Sequence, residues 1–126
     1  MTISRFTTAT AALLMLSGTA FAETGLMEVT IGSAKALADA KGMTLYTFDS
    51  DTGDVSSCYD ACAKNWPPAA APDGTKTKGE YGVTERKDNT YQWTYNKKPL
   101  YTYHEDKKAG EAKGDGVGGV WHIARP

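Results

Sequence analysis

Hydrophobic and polar residues alternate in two seven-residue segments of nearly identical sequence. Residues 45–51 read Leu-Tyr-Thr-Phe-Asp-Ser-Asp, and residues 100–106, which lie 55 positions later, read Leu-Tyr-Thr-Tyr-His-Glu-Asp. The same offset relates Trp66 to Trp121. Because successive side chains of a strand point to opposite faces, each alternation predicts a strand with both aromatic rings on one face. An aspartate closes each copy, so the chain is predicted to contain two related repeats.

Further strands are predicted from the same period of two. In the first half, residues 27–31 and 34–37 are predicted as strands, and a turn at residues 39–42 leads into the repeated segment as a hairpin. In the second half, the strands are predicted at residues 81–86, 91–95 and 99–103, with turns at 88–89 and 96–98. This order is typical of antiparallel meanders.

One segment between the repeats has helical character. Ser56 or Ser57 can cap a helix over residues 58–65. Pro67 and Pro68 end it, because the residue before a proline is disfavoured in the helical region.

The predicted fold class is therefore α+β, mainly antiparallel β, with one short helix near residues 57–65. Two related hairpin-containing repeats, at about residues 37–72 and 91–126, are expected in one domain that covers residues 23–126. The loop at residues 69–79 is the best internal linker.

The N-terminal residues have the pattern of a signal peptide. Arg5 is the only charged residue before Glu23, residues 9–16 are an apolar run, and the sequence Ala-Phe-Ala ends at Ala22 as in a cleavage site. The apolar run is too short to span about 30 Å of hydrocarbon as a stable helix. We therefore expect residues 1–22 to be removed and the product to be periplasmic or secreted, with no membrane span.

The charge balance gives no electrostatic reason to expect binding to nucleic acid or to an anionic membrane. Without Arg5 the chain has 13 basic and 15 acidic residues, a formal charge of −2. A chain of this size buries one small core.

Several motifs in one order resemble the bacterial secreted-repeat family, often described as lipoproteins with a Yx(FWY)xxD motif. The motif matches at Tyr46-x-Phe48-x-x-Asp51 and again at Tyr101-x-Tyr103-x-x-Asp106. Other matching stretches are Cys58-x-x-x-Cys62-Ala63-x-x-Trp66-Pro67-Pro68, Gln92-Trp93-x-Tyr95, Pro99-Leu100-Tyr101 and the glycine-rich run to Trp121-His122. The resemblance implies an extracytoplasmic protein of two similar repeats, without an established molecular function. No cysteine ends the signal segment, so we expect no lipid anchor.

Cys58 and Cys62 are the only cysteines and lie four residues apart. In an oxidising compartment a structural disulfide is expected, since one helical turn separates α-carbons by about 6 Å. Two alternatives stay open: a redox-active pair, and a copper or other soft-metal site completed by His104, His122 or a methionine. The haem-attachment pattern is absent, and no cofactor is expected.

The acidic loop at residues 49–54 only partly fits a calcium loop. Asp49, Asp51 and Asp60 fall at positions one, three and twelve, but position six is Asp54 rather than glycine and no helix precedes the loop. Turn acids bonded to backbone amides are the favoured interpretation, and no metal site is expected.

The sequence shows no arrangement of residues that is typical of a catalytic site. Neither histidine has a local nucleophile, and adjacent carboxylates on a strand point to opposite faces. The three tryptophans and seven tyrosines serve a core or a ligand-stacking face, and the core is favoured. We expect a non-catalytic envelope module that binds an unidentified ligand or partner. The alternative is a periplasmic redox or metal-handling protein that uses Cys58 and Cys62.

Overall fold

The computed structural model describes residues 25–126, so the predicted signal peptide lies outside the described residues. The fold is mostly antiparallel β with one very short helix, as predicted. Its strands are β1 (Met27–Ile31), β2 (Ala34–Ala38), β3 (Tyr46–Phe48), β4 (Tyr81–Glu85), β5 (Tyr91–Tyr95), β6 (Lys98–Pro99) and β7 (Trp121–Ile123). Its α-helix is α1 (Ala61–Asn65), and a single 3-10 turn covers Val117–Gly119. In residues 25–126, no helix is long and apolar enough to cross a membrane.

The hairpins follow from local turn chemistry. β1 pairs with β2 around Gly32, whose φ of 64° carries no steric penalty because glycine has no Cβ. β4, β5 and β6 form the predicted meander. Asn96 and Lys97 join β5 to β6 with φ values of 51° and 61°, as a two-residue type I′ turn requires. Asp39 holds the turn before β3 by accepting bonds from the amides of Lys41 and Met43, both at 2.9 Å.

Each half closes by pairing with the other half. β7, near the end of the second half, pairs antiparallel with β3 of the first half. The corresponding residues of the first half, 65–68, pair with the second half: the amides of Thr102 and His104 donate to the carbonyls of Pro67 and Asn65 at 2.8 and 2.9 Å. This exchange of closing segments, from here the strand exchange, makes the two halves mutually dependent.

A ring of three backbone hydrogen bonds appears once in each half. Leu37 donates to Ala124, Ala124 to Leu45, and Leu45 back to Leu37, at 2.8–2.9 Å. Trp93, Ala69 and Leu100 repeat this cycle in the same order and with the same range of distances. The two halves are therefore related by an approximate two-fold axis, and each ring contains one residue from the opposite half.

Two predictions for the segment between the halves are wrong. The helix begins at Ala61, its N-cap residue is Asp60, and no side chain caps it. Ser56 and Ser57 instead bond to residues outside the helix, so the chain before Ala61 is held away from helical geometry. The predicted linker starts later than expected, because Ala69 and Ala71 are buried and their amides bond to Leu100 and Tyr91.

The core has two clusters, and the second lies on the two-fold axis. The first contains Leu37, Leu45, Trp93 and Leu100, whose backbone groups belong to the two hydrogen-bonded rings. The second gathers the aromatic residues of both repeats and Cys58: Tyr46, Trp66, Tyr101 and Trp121.

Candidate functional site

The two motif tyrosines meet at the two-fold axis. Tyr46 and Tyr101 exchange both backbone hydrogen bonds, at 2.7 and 3.0 Å, and both side chains are fully buried. Their burial was expected from the strand alternation. The reciprocal pairing was not, because alternation assigns a face but no partner.

Each motif tyrosine donates its hydroxyl to the motif aspartate of the other repeat. Tyr46 bonds to Asp106 at 2.6 Å, and Tyr101 bonds to Asp51 at 2.7 Å. Burial, together with these carboxylates, raises the pKa of both tyrosines well above the usual value, so both hydroxyls stay protonated. The aspartates also accept backbone amides, Ser57 at 2.8 Å for Asp51 and Lys113 at 2.9 Å for Asp106. The Yx(FWY)xxD spacing thus serves contacts between repeats as well as turn amides.

The second ring of each motif and the two tryptophans of the closing segments form a column across the axis. Tyr103 stacks on Trp66 at 4.1 Å, Trp66 on Trp121 at 3.9 Å, and Trp121 on Phe48 at 4.1 Å between ring centroids. Tyr46 and Tyr101 contact the two indoles edge-on, at 5.3 and 5.1 Å. The column and its flanking tyrosines obey the same two-fold relation as the backbone.

A buried arginine lies behind Tyr101. Arg86 is 3% exposed, and its Nη1 donates to Ser56 Oγ at 2.9 Å and to Gln92 Oε1 at 2.8 Å. Tyr101 gives its only hydroxyl proton to Asp51, so the 2.6 Å contact requires Ser56 to donate to Tyr101. Two hydroxyl groups therefore connect the guanidinium to the carboxylate of Asp51.

Sequence reasoning gave Arg86 no role, because arginines are seldom buried. The guanidinium also donates to the carbonyl of Cys58 at 2.6 Å and lies 4.3 Å from the ring centre of Tyr59. Its Nε is the one buried side-chain N or O atom in residues 25–126 without a hydrogen-bond partner. The arginine fixes the segment 56–59 against β5.

The loop next to Tyr46 contacts the tyrosine hydroxyl through a backbone amide instead of a side chain. The amide of Gly114 donates to the Tyr46 hydroxyl at 3.2 Å. A Cβ at Gly114 would lie 2.7 Å from the Trp66 ring and 2.9 Å from the Tyr46 ring. The glycine-rich run therefore wraps closely around the aromatic column at this position.

Cys58 and Cys62 form a disulfide, as expected. Cys58 is fully buried in the aromatic cluster. In residues 25–126, the histidines, cysteines and acids form no group that could hold a metal ion. The histidines lie apart: His122 bonds to Asp49 at 2.8 Å, and His104 contacts Glu105 at 2.7 Å.

Two grooves lie at positions related by the two-fold axis. A groove of about 440 Å³, from here the charged groove, is lined by Thr47, Ile123, Ala124 and Arg125 on one side. A groove of about 380 Å³, from here the apolar groove, is lined by the equivalents in the other half: Thr102, Pro68, Ala69 and Ala70. Both are completed by a hairpin turn, residues 95–98 in the charged groove and residues 39–41 in the apolar groove.

The linings of the two grooves differ in charge. The charged groove presents five acidic or basic side chains: Asp49, Lys98, Asp115, His122 and Arg125. The apolar groove presents Asp39 and Lys41 beside proline, alanine and Trp93. A cavity of about 250 Å³ shares Thr47, Asp49, Asn96 and Lys98 with the charged groove and extends it to Phe48 and Asp51. The charged groove is the best candidate for a binding site.

Comparison with known proteins gives one match. The model of a family described as a secreted repeat of unknown function matches the chain twice, at residues 30–70 and 82–125. Each matched segment includes one motif strand and one closing segment. No curated protein and no solved structure matches the chain.

Proposed function

The chain belongs to the family of secreted repeats of unknown function, and from this premise we propose that it is an exported, non-catalytic module that binds a polar ligand of the cell envelope in the charged groove. The observation that carries the proposal is the difference between the two grooves. Both are built on equivalent backbone, so the requirements of the fold act on both alike. Part of the additional charge serves the fold, because Asp115 accepts the amide of Ile123 and Arg125 donates to the carbonyl of Lys35. We ascribe the exposed remainder, Lys98 and the Asp49–His122 pair, to ligand recognition.

The charges favour a ligand with a negative group and several hydroxyls. Lys98 and Arg125 supply cationic donors, while Asp49 and His122 supply an acceptor and a second polar group. Phe48 adds a ring at the extended end of the groove. An acidic sugar has this combination of groups, and sugar rings stack on aromatic faces.

A titration followed by nuclear magnetic resonance tests the proposal, because the apolar groove is a built-in reference. We expect glucuronate or N-acetylmuramate to shift the amides of Thr47, Lys98 and Arg125 and to leave Thr102, Ala69 and Ala70 unchanged. Arg125→Ala should abolish the shifts, while Lys41→Ala, in the apolar groove, should keep them. Equal shifts in both grooves, or no shift from either sugar, would contradict the proposal.

Export and processing are part of the same proposal. Cleavage after Ala22 and the lack of a cysteine at that position give a product without lipid that begins at Glu23. The intact mass of the protein isolated from its own cells tests this point. A lipid adduct, or retention of the first 22 residues, would show that the processing is different.

The alternative use of Cys58 and Cys62 has less support. Redox exchange requires access of a thiolate to one sulfur, and only Cys62, which is half-buried, offers such access. Cys58 is fully buried and packs in the aromatic cluster, as a structural half-cystine does. The disulfide therefore fits a structural role.

A further inference from the structure

The aromatic cluster at the two-fold axis contains two features of different chemistry. One is the column of stacked rings, in which the indoles of Trp66 and Trp121 are nearly parallel, with 3° between their planes. The other is the pair of phenol–carboxylate hydrogen bonds, Tyr46 to Asp106 and Tyr101 to Asp51, at 2.6 and 2.7 Å. Packing accounts for the column. It does not require a carboxylate beside a fully buried phenol, since Asp106 is itself only 5% exposed and burying a charge is costly.

Indole and phenol are, with thiols, the protein groups that most readily lose one electron. An oxidised phenol becomes a strong acid, so its oxidation is easy only when a base can take the proton at once. A carboxylate at hydrogen-bond distance is such a base, and both motif tyrosines have one. Stacked indoles can share a missing electron between their rings, which connects the two tyrosines through the rings they touch.

We propose that the axis cluster is a one-electron relay that accepts oxidising equivalents from radical oxidants at the protein surface. The oxidant class is a small oxygen- or nitrogen-centred radical such as nitrogen dioxide. The radical takes one electron from the column and leaves as an anion, nitrite in this case. The electron is replaced from Tyr46 or Tyr101, whose hydroxyl proton moves to Asp106 or Asp51. The products are one tyrosyl radical, one protonated aspartate and one anion, so charge and electrons balance.

The position of the rings fits this sequence. Tyr103 and Phe48, at the two ends of the column, are half-buried, whereas Trp66 and Trp121 are 5% exposed. The motif tyrosines are shielded completely, so a radical there is protected from coupling to a second molecule. A small thiolate can return one electron through the column and leave as a thiyl radical, while the protonated aspartate returns the proton to the phenoxyl oxygen.

Photo-oxidation of the folded, disulfide-bonded protein tests the relay. Ruthenium tris(bipyridine), oxidised by a laser flash in the presence of a cobalt quencher, serves as the one-electron oxidant. Transient absorption and electron paramagnetic resonance then follow the radicals. We expect a neutral tyrosyl radical that decays several-fold more slowly than free tyrosyl radical. We also expect its formation to slow several-fold in D2O, because the transferred proton comes from a hydroxyl.

Variants locate the radical. The double variant Tyr46→Phe/Tyr101→Phe should lose the long-lived tyrosyl signal and accumulate oxidised tryptophan instead. The matched control Tyr81→Phe/Tyr95→Phe removes another edge-on pair, at 5.0 Å, and should keep the signal. Asp51→Asn/Asp106→Asn should suppress the signal like the phenylalanine variant, with unchanged circular dichroism.

Three results would overturn the proposal. They are a tyrosyl signal that survives in Tyr46→Phe/Tyr101→Phe, a signal lost equally in the control pair, and formation in the unmodified protein without an effect of D2O. The last measurement needs no variant, so it decides even if a substituted protein does not fold.

Discussion

The two Tyr–Asp pairs have the same bonds but different support. Behind Tyr101 lie side chains: Ser56 donates to its hydroxyl, and Arg86 donates to Ser56. Behind Tyr46 lies the backbone amide of Gly114. The comparison teaches that the repeated motif specifies the bond between the halves and leaves its support to the loop between motif and closing segment. One half uses a hydroxyl of that loop, Ser56, together with Arg86, which follows β4, and the other half uses a glycine of the loop, Gly114.

Truncation of the motif tyrosines should have the largest effect. Tyr101→Ala and Tyr46→Ala each empty a fully buried ring site and should each cost about 3–5 kcal/mol of unfolding free energy. Tyr101→Ala should cost more, because it also leaves the buried Ser56 hydroxyl without its acceptor. Asp51→Ala and Asp106→Ala should cost less, about 1–3 kcal/mol. Urea unfolding measures all four, and larger losses for the aspartates would reverse the assigned roles.

Substitution of Arg86 should have the next largest effect on the unfolding free energy. It tests the side chains that support the Tyr101–Asp51 bond. Arg86→Met keeps much of the volume but removes the donors to Cys58 O, Gln92 Oε1 and Ser56 Oγ. Leaving such buried acceptors unpaired should cost about 3 kcal/mol in total. Lys87→Met, at the exposed neighbouring residue, is the matched control and should change the unfolding free energy little. Equal stability of the two variants would show that the hydrogen bonds of Arg86 do not stabilise the fold.

The close approach of Gly114 to Tyr46 is tested by adding one carbon atom to the glycine. Gly114→Ala places a Cβ within 2.9 Å of two rings that are fixed by stacking and should cost about 2 kcal/mol. Gly116→Ala has open space, so only its φ of 82° opposes the change, at about 1 kcal/mol. Thermal unfolding that ranks Gly116→Ala as the worse of the two would contradict the close approach.

The disulfide exists only in the first half. Replacing Cys58 and Cys62 by alanine should lower stability by about 2 kcal/mol, because the closed loop is short, and should leave the fold intact. The unmodified protein should take up no alkylating reagent before reduction. Free thiols in freshly isolated protein would favour a redox role instead.

The last effect appears at alkaline pH. Burial raises the pKa of Tyr46 and Tyr101 in the folded state, whereas the unfolded tyrosines ionise near pH 10.0. Above that pH the unfolded state releases protons that the folded state keeps. The unfolding free energy should therefore fall by about 1.4 kcal/mol per pH unit for each tyrosine. Unfolding curves at about pH 9 and 11 should show a smaller fall for Tyr46→Phe/Tyr101→Phe than for Tyr81→Phe.

Local patterns in the sequence predicted the strands and turns because these depend on neighbours. The period of two located β1 to β5, and the turn residues Asp39 and Asn96 placed two hairpins. The cysteine spacing predicted the disulfide. Each of these features involves residues close together in the chain.

Features that join distant residues were not predictable. The motif spacing indicated a local role for Asp51, but its partner Tyr101 lies 50 positions away. Arginine side chains are usually exposed, and nothing in the sequence near Arg86 shows that Ser56 and Cys58 will bind its guanidinium. The predicted start and cap of the helix were wrong for the same reason, since the distant Tyr101 binds the Ser56 hydroxyl. The charged groove is lined by residues from both halves, which are brought together only in the folded chain.

The strand exchange has a consequence for ancestry and copy number. A single repeat of this kind cannot close, because β3 needs a closing segment that its own repeat gives away. An ancestor with one repeat would have had to form a homodimer, with two equal tyrosines in contact across a true symmetry axis. Gene duplication and fusion would then have joined the two subunits into one chain and freed each groove to change separately. We therefore expect functional chains built from this unit to carry its repeats in even numbers.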